Sequence, residues 1–238
     1  MMLVLSGEGP TDLGAVNGSV FSAGPLAVVV DKLLERVLGY RPLQLNPAGV
    51  HFISKSRIDQ RARDGAKRKG FAFVGKKRGQ ETAFCYIAAW MLGEMALALE
   101  DEQDDRSIAV LHRDSDDRSS TAADLWGRKF QSMLDGFARA GFARGVPMLP
   151  RPISESWLLC AARPELLSCA LLECESASAK APRPLKQQLN EALSAHLGAD
   201  ALADWIEGVF DPAQLDKMPS FARFHQKLDD AAASVLAG

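Results

Sequence analysis

The feature that most constrains this chain is a set of four short apolar runs spaced by stretches with helical patterning. Residues 2–5 (Met-Leu-Val-Leu), 50–53 (Val-His-Phe-Ile), 107–111 (Ser-Ile-Ala-Val-Leu) and 146–149 (Val-Pro-Met-Leu) are each short, apolar and bounded by turn or helix signals, which is how buried strands read. Between them, residues 25–38 open on Pro25 and stop at Gly39, the expected ends of a helix. Residues 81–99 are alanine-rich and apolar on more than one side, and 121–140 form an amphipathic pattern that ends at Gly141. Alternating strand and helix predicts an α/β fold with a mostly parallel sheet flanked by helices. The glycine-rich stretch 7–24 reads as a loop. The stretch after residue 55 reads as a helix or an ordered loop. From Ile153 onward strand signals cease, and Pro182, Pro184, Pro212 and Pro219 punctuate short helices. The expected organisation is an α/β domain over 1–160, with an insertion at about 40–80, and a helical C-terminal portion over 161–238.

Composition excludes several classes. At 238 residues, 47% hydrophobic, 24% charged and a net charge of -2, the chain buries enough apolar surface to fold as a globular protein. Its four cysteines, Cys85, Cys160, Cys169 and Cys174, show no CxxC spacing. They are expected to be buried, reduced thiols rather than a disulfide framework or a zinc site. No unbroken apolar run approaches the roughly 20 residues of a membrane span. The first residues lack a basic stretch and a long apolar core of the signal-peptide kind. A cytoplasmic protein without a membrane partner is the expectation.

The near-neutral charge hides an asymmetry. Ten cations fall in 55–78, among them Lys67, Arg68, Lys69, Lys76, Lys77 and Arg78, against only Asp59 and Asp64, a formal +8. Such a field is the footprint of a polyanion partner, and nucleic acid is the expected one. Phe71 and Phe73 interleave with it as possible base-stacking side chains.

Carboxylates also recur just past the predicted strands. Glu8 follows the first strand in Gly7-Glu8-Gly9-Pro10-Thr11-Asp12. Asp114-Ser115-Asp116-Asp117 follows the strand at 107–111, and Glu155 follows the strand at 146–149. In an open parallel sheet, ligands bind beyond the carboxyl ends of the strands. Carboxylates that converge there repel one another unless a cation sits among them, and oxygen-only donors favour Mg²⁺ or Mn²⁺. In extended chain Asp114 and Asp116 share one face. Taken singly, each acidic group also reads as an ordinary turn, cap or first-turn helix residue.

The glutamate motif after an apolar strand, and His112-Arg113-Asp114-Ser115-Asp116-Asp117 after a second one, resemble the two motifs of the TOPRIM domain. The Pro152-Ile153-Ser154-Glu155-Ser156-Trp157-Leu158-Leu159 run is similar to a segment of small standalone TOPRIM-like proteins, relatives of OLD-family nucleases and RloB-type proteins. The resemblance covers roughly residues 1–160. It implies a TOPRIM-like sheet and a Mg²⁺-dependent endonuclease, a phosphodiester hydrolase linked to phage defence. Glu8 would be the general acid or base, Asp114 and Asp116 the metal-binding catalytic residues and Glu155 an additional acidic position. From the spacing alone, Asp117 points elsewhere and is read as serving a second metal or the helix start, and Glu8 and Glu155 complete the expected metal set. The alternative is a non-cleaving subunit that binds nucleic acid or nucleotide. No GxxxxGK[ST] pattern occurs, so the ATPase that accompanies OLD nucleases would be a separate chain. The long spacing from Glu8 to Asp114 implies an insertion, to which the basic stretch belongs.

Overall fold

The computed structural model describes residues 1–9, 11–17, 20–69, 82–116, 123–163, 165 and 168–237. The elements in chain order are β1 (Met2–Ser6), β2 (Gly14–Asn17), β3 (Val20–Ala23), α1 (Pro25–Leu38), α2 (Pro42–Leu45), β4 (Val50–Phe52), α3 (Lys55–Lys69) and α4 (Ala83–Gln103). They continue with β5 (Ser107–His112), α5 (Ala123–Ala140), β6 (Gly145–Met148), α6 (Ser154–Ala162), α7 (Leu185–Leu193), α8 (Ala199–Val209), α9 (Pro212–Leu215) and α10 (Pro219–Leu236).

Four strands pair in the order β4-β1-β5-β6, all in parallel. β1 is buried along its whole length, as a central strand with helices on both faces must be. Side chains alternate across it. Leu3 and Leu5 join one apolar cluster with Ile108, Val110, Val146 and Met148, and Val4 joins a second cluster with Ala109 and Leu111. Helices α1, α6 and α10 contribute to the first cluster; α3, α4 and α5 build the second.

Chain order and sheet order together locate the crevice. From β1 the chain crosses to β4 on one side, then returns to β5 on the other. The order therefore reverses between β1 and β5, and the carboxyl ends of those two strands flank the topological switch point where open α/β sheets bind ligands. Glu8 follows β1, and Arg113 and Asp114 follow β5.

Two expectations are corrected. The stretch 7–24 is not all loop: Gly14–Asn17 (β2) and Val20–Ala23 (β3) pair as antiparallel strands. Gly14 makes the pairing possible: its φ is +112°, and a Cβ there would lie 2.0 Å from the Ser22 carbonyl oxygen. The thiols are not all reduced and buried. Cys160 and Cys169 form a disulfide between the end of α6 and the following 3₁₀ turn, and Cys174 is exposed, leaving Cys85 as a buried free thiol.

Helix α4 has the length and apolar composition of a membrane span, with a mean hydropathy of 1.4. Glu94 interrupts its apolar run, so the sequence shows no unbroken apolar stretch of that length. The helix lies against α5, with Cys85, Ala88, Ala89, Met91, Leu92, Gly93 and Ala96 buried. The C-terminal helices share the first cluster with the sheet. Trp157 of α6 meets Phe221 of α10 edge-on at 5.0 Å between ring centroids and stacks on Phe224 at 5.6 Å, while its indole N–H donates to Ser220 Oγ at 2.8 Å. Truncating such a buried aromatic residue costs on the order of 3–5 kcal/mol.

Candidate functional site

At the switch point lies a cavity of about 780 Å³. Glu8, Asp114 and Asp116 all line it, as do the cations Lys55 and Arg63 of α3, Arg113, and Lys129 of α5. Three carboxylates from two neighbouring strand ends, and Asp59 of α3 paired with Lys55, thus share one cavity with four cations.

Backbone bonds fix the acidic loop. Arg113 N–H donates to the Met148 carbonyl, Ser115 N–H to Pro150 and Asp116 N–H to Pro152, so the chain after β5 is laced to the chain after β6. Ser115 Oγ donates to the Pro152 carbonyl at 3.1 Å, and Lys129 Nζ donates to the Ser115 carbonyl. Asp116 has a φ of +51°, in the left-handed region that aspartate tolerates better than most residues. Asp114 and Asp116 therefore share the cavity through a bent loop rather than through the extended geometry expected from their spacing.

Arg113 sits at the centre. It is 8% exposed, its Nε lies 3.5 Å from Glu8 Oε1, and its Nη1 donates to the His112 carbonyl at 2.9 Å. On the other side of the loop, Asp114 Oδ1 accepts from the Ser154 backbone N–H at 2.8 Å and lies 3.5 Å from His112 Nε2. Ser154 Oγ donates to Asp12 Oδ1 at 2.9 Å and approaches Glu155 Oε2 at 3.4 Å. Asp114 is thus shared between the cavity and a second polar group made of His112, Asp12, Ser154 and Glu155.

The electrostatics follow from this crowding. Burial raises the Glu8 carboxyl above its ordinary pKa; Asp114 and Asp116 push it further up, while Arg113 and His112 oppose them. Glu155 is raised by burial and then by Asp114 and Asp12. Burial alone would lower His112, but Asp114 and Asp12 outweigh it and the imidazole pKa rises. At 3.5 Å that contact acts through charge, since neither ring nitrogen makes a hydrogen bond by strict geometry. Burial lowers the Arg113 guanidinium against the opposing pull of Glu8.

The sequence-predicted residues divide as follows. Glu8, Asp114 and Asp116 come together. Glu155 does not line the cavity but feels Asp114 across Ser154. Asp117 lies outside the described residues, as do Lys76, Lys77, Arg78, Phe71 and Phe73. The backbone of Lys67, Arg68 and Lys69 belongs to α3, and their side chains are outside the described set. His51 lies on β4, away from the cavity, near Glu102. Sequence reasoning missed Lys129, Ser154 and Phe84. Lys129 and Ser154 carry no local signal, since their places depend on how α5 and α6 pack; Phe84 shows only as an aromatic residue at the start of a helix.

Among the described residues, no three His, Cys, Asp or Glu side chains are gathered as a ready metal cage. The donor chemistry nonetheless fits a hard dication. Glu8, Asp114 and Asp116 offer oxygen alone, and the two aspartates impose on Glu8 a negative field that a cation would relieve. No protein-family model, curated protein or solved structure matches this chain.

Proposed function

We propose that the chain is a Mg²⁺- or Mn²⁺-dependent phosphodiester hydrolase that acts on nucleic acid. The observation that carries this reading is the convergence of Glu8, Asp114 and Asp116 in one cavity at the switch point, beside cations from two helices. A TOPRIM arrangement belongs to the same reading, on the order of the glutamate and Asp114-x-Asp116 motifs after neighbouring strands. A role in phage defence with a separate ATPase chain rests on the resemblance alone.

Each residue has a chemical task. Glu8, its proton affinity raised by burial, is suited to take or give a proton. Asp114 and Asp116, with Glu8, would hold the cation, which supplies Lewis acidity at the phosphate and lowers the pKa of a water. Arg113 and Lys129 offer positive charge to phosphate oxygens. Lys55 and Arg63 carry the basic face of α3 to the cavity and would guide the rest of the strand. The Arg113–Glu8 pair, and the lack of a ready cage among the described residues, favour one second reading, a subunit that binds nucleic acid without cutting it.

The test is direct. Plasmid, single-stranded DNA and RNA are incubated with the protein in Mg²⁺, Mn²⁺ or EDTA. Metal-dependent cutting, abolished by Glu8→Gln and Asp114→Asn in folded protein, is expected. Binding without cutting under every metal selects the second reading.

A further inference from the structure

We infer that the cavity seats one unstacked nucleotide of a single-stranded chain, with Phe84 as the stacking face for its base. The inference rests on the proposed action on nucleic acid and adds the strand form and the recognition element. Phe84 is 64% exposed at the start of α4. Its ring meets no other aromatic ring among the described residues, whereas Tyr86, Trp90, Trp126 and Phe130 all do. It lines the cavity together with Ile58, Ala62, Ile87 and Ala88, so α3 and α4 present an apolar wall within a site that also holds charged groups.

The charges complement that wall. Arg63, on the same cavity, bonds the Gln60 side-chain carbonyl and pairs with no carboxylate among the described residues. A guanidinium in that state is open to a phosphate. The volume of about 780 Å³ falls within the range of roughly 300–1,000 Å³ typical of small-ligand sites. An apolar face and an available guanidinium match two parts of one nucleotide, its base and a phosphate, while Glu8, Asp114 and Asp116 would meet the neighbouring phosphate through the cation that the proposed function assigns to them. A base paired and stacked in a duplex cannot offer its face to Phe84, whereas an unpaired base can.

The experiment measures binding in EDTA, so that cleavage plays no part. Fluorescence anisotropy compares a labelled single-stranded DNA oligonucleotide, its duplex, and a single strand of the same length lacking bases. The inference predicts that the single strand binds more tightly than the duplex. Phe84→Ala should weaken single-strand binding roughly 5- to 100-fold and leave the baseless strand and the duplex unchanged. Phe84→Trp should keep the affinity, with its indole fluorescence quenched on binding, and Phe84→Leu should lose most of it. Equal loss for the baseless strand, full affinity in Phe84→Leu, or tighter duplex binding would overturn the inference. Because Phe84 is exposed, each variant is expected to keep the wild-type melting temperature. A protein that shows base-dependent binding but never cuts would retain this inference and lose the hydrolase reading. A protein that cuts with Phe84→Ala binding unchanged would do the reverse.

Discussion

Two glycines of α5 should respond to the same substitution with opposite signs. Gly136 lies where α5 crosses α4, and a Cβ there would stand 2.3 Å from the Tyr86 carbonyl oxygen, 2.8 Å from Ala89 Cβ and 3.0 Å from the Trp90 backbone nitrogen. Two of these neighbours are backbone atoms of α4, so relief requires moving one helix away from the other. Gly127, in the same helix, has no described residue within 4 Å of its would-be Cβ. In an open helix interior, Gly→Ala gains up to ~1 kcal/mol from reduced backbone entropy. Gly127→Ala should realise most of that gain. At Gly136 the same gain opposes an overpacking cost of about 1–3 kcal/mol or more, and the expected net is a loss of about 1–2 kcal/mol. Urea denaturation followed by circular dichroism reads both, provided the slope m is unchanged. The Gly127→Ala midpoint should rise and the Gly136→Ala midpoint fall. A Gly136→Ala protein as stable as Gly127→Ala would refute the close approach of α4 and α5, and with it the position of the cavity wall that α4 carries.

Other predictions concern the site and the disulfide. A carbon-13 titration of the Glu8 carboxyl should show a midpoint above the ordinary glutamate value, and Asp116→Asn should bring it down by removing one of the charges that raise it. Because the folded-state pKa is raised, the stability Glu8 contributes is full below its unfolded pKa and is lost as pH rises through the folded one. Glu8→Gln should therefore melt higher than wild type at neutral pH, with the advantage shrinking in acid. Oxidised protein unfolded in guanidinium should show two reactive thiols in a dithionitrobenzoate assay, from Cys85 and Cys174, and four after reduction. Cys160→Ser together with Cys169→Ser should cost about 2–3 kcal/mol relative to the oxidised parent.

How much of this was legible in the sequence depended on how local each cause was. Helix α1 runs over the expected residues, because Pro25 and Gly39 are local start and stop signals that need no tertiary help. Strands β1, β4, β5 and β6 lie within a residue or two of the apolar runs that announced them. The β2–β3 hairpin escaped, because Gly14 and Gly24 are there for close backbone approach, and a glycine chosen for that purpose reads like a loop glycine. The Cys160–Cys169 bond escaped because it depends on how the 3₁₀ residues 169–174 pack against the end of α6. At the site, acidic residues past strand ends were visible as a pattern. The pairing of Glu8 with Arg113 and the tie from Asp114 to Ser154 were not, since both come from neighbours in space rather than in sequence.

The proposed chemistry depends most on Glu8, Asp114 and Asp116 acting together on one cation. Titration of the protein with Mn²⁺, followed by the loss of free-ion signal in electron paramagnetic resonance, measures that directly. The wild type should bind Mn²⁺ in competition with Mg²⁺, and Glu8→Gln, Asp114→Asn and Asp116→Asn should each weaken binding by at least about tenfold while the fold persists. Mn²⁺ affinity unchanged in all three variants would contradict it.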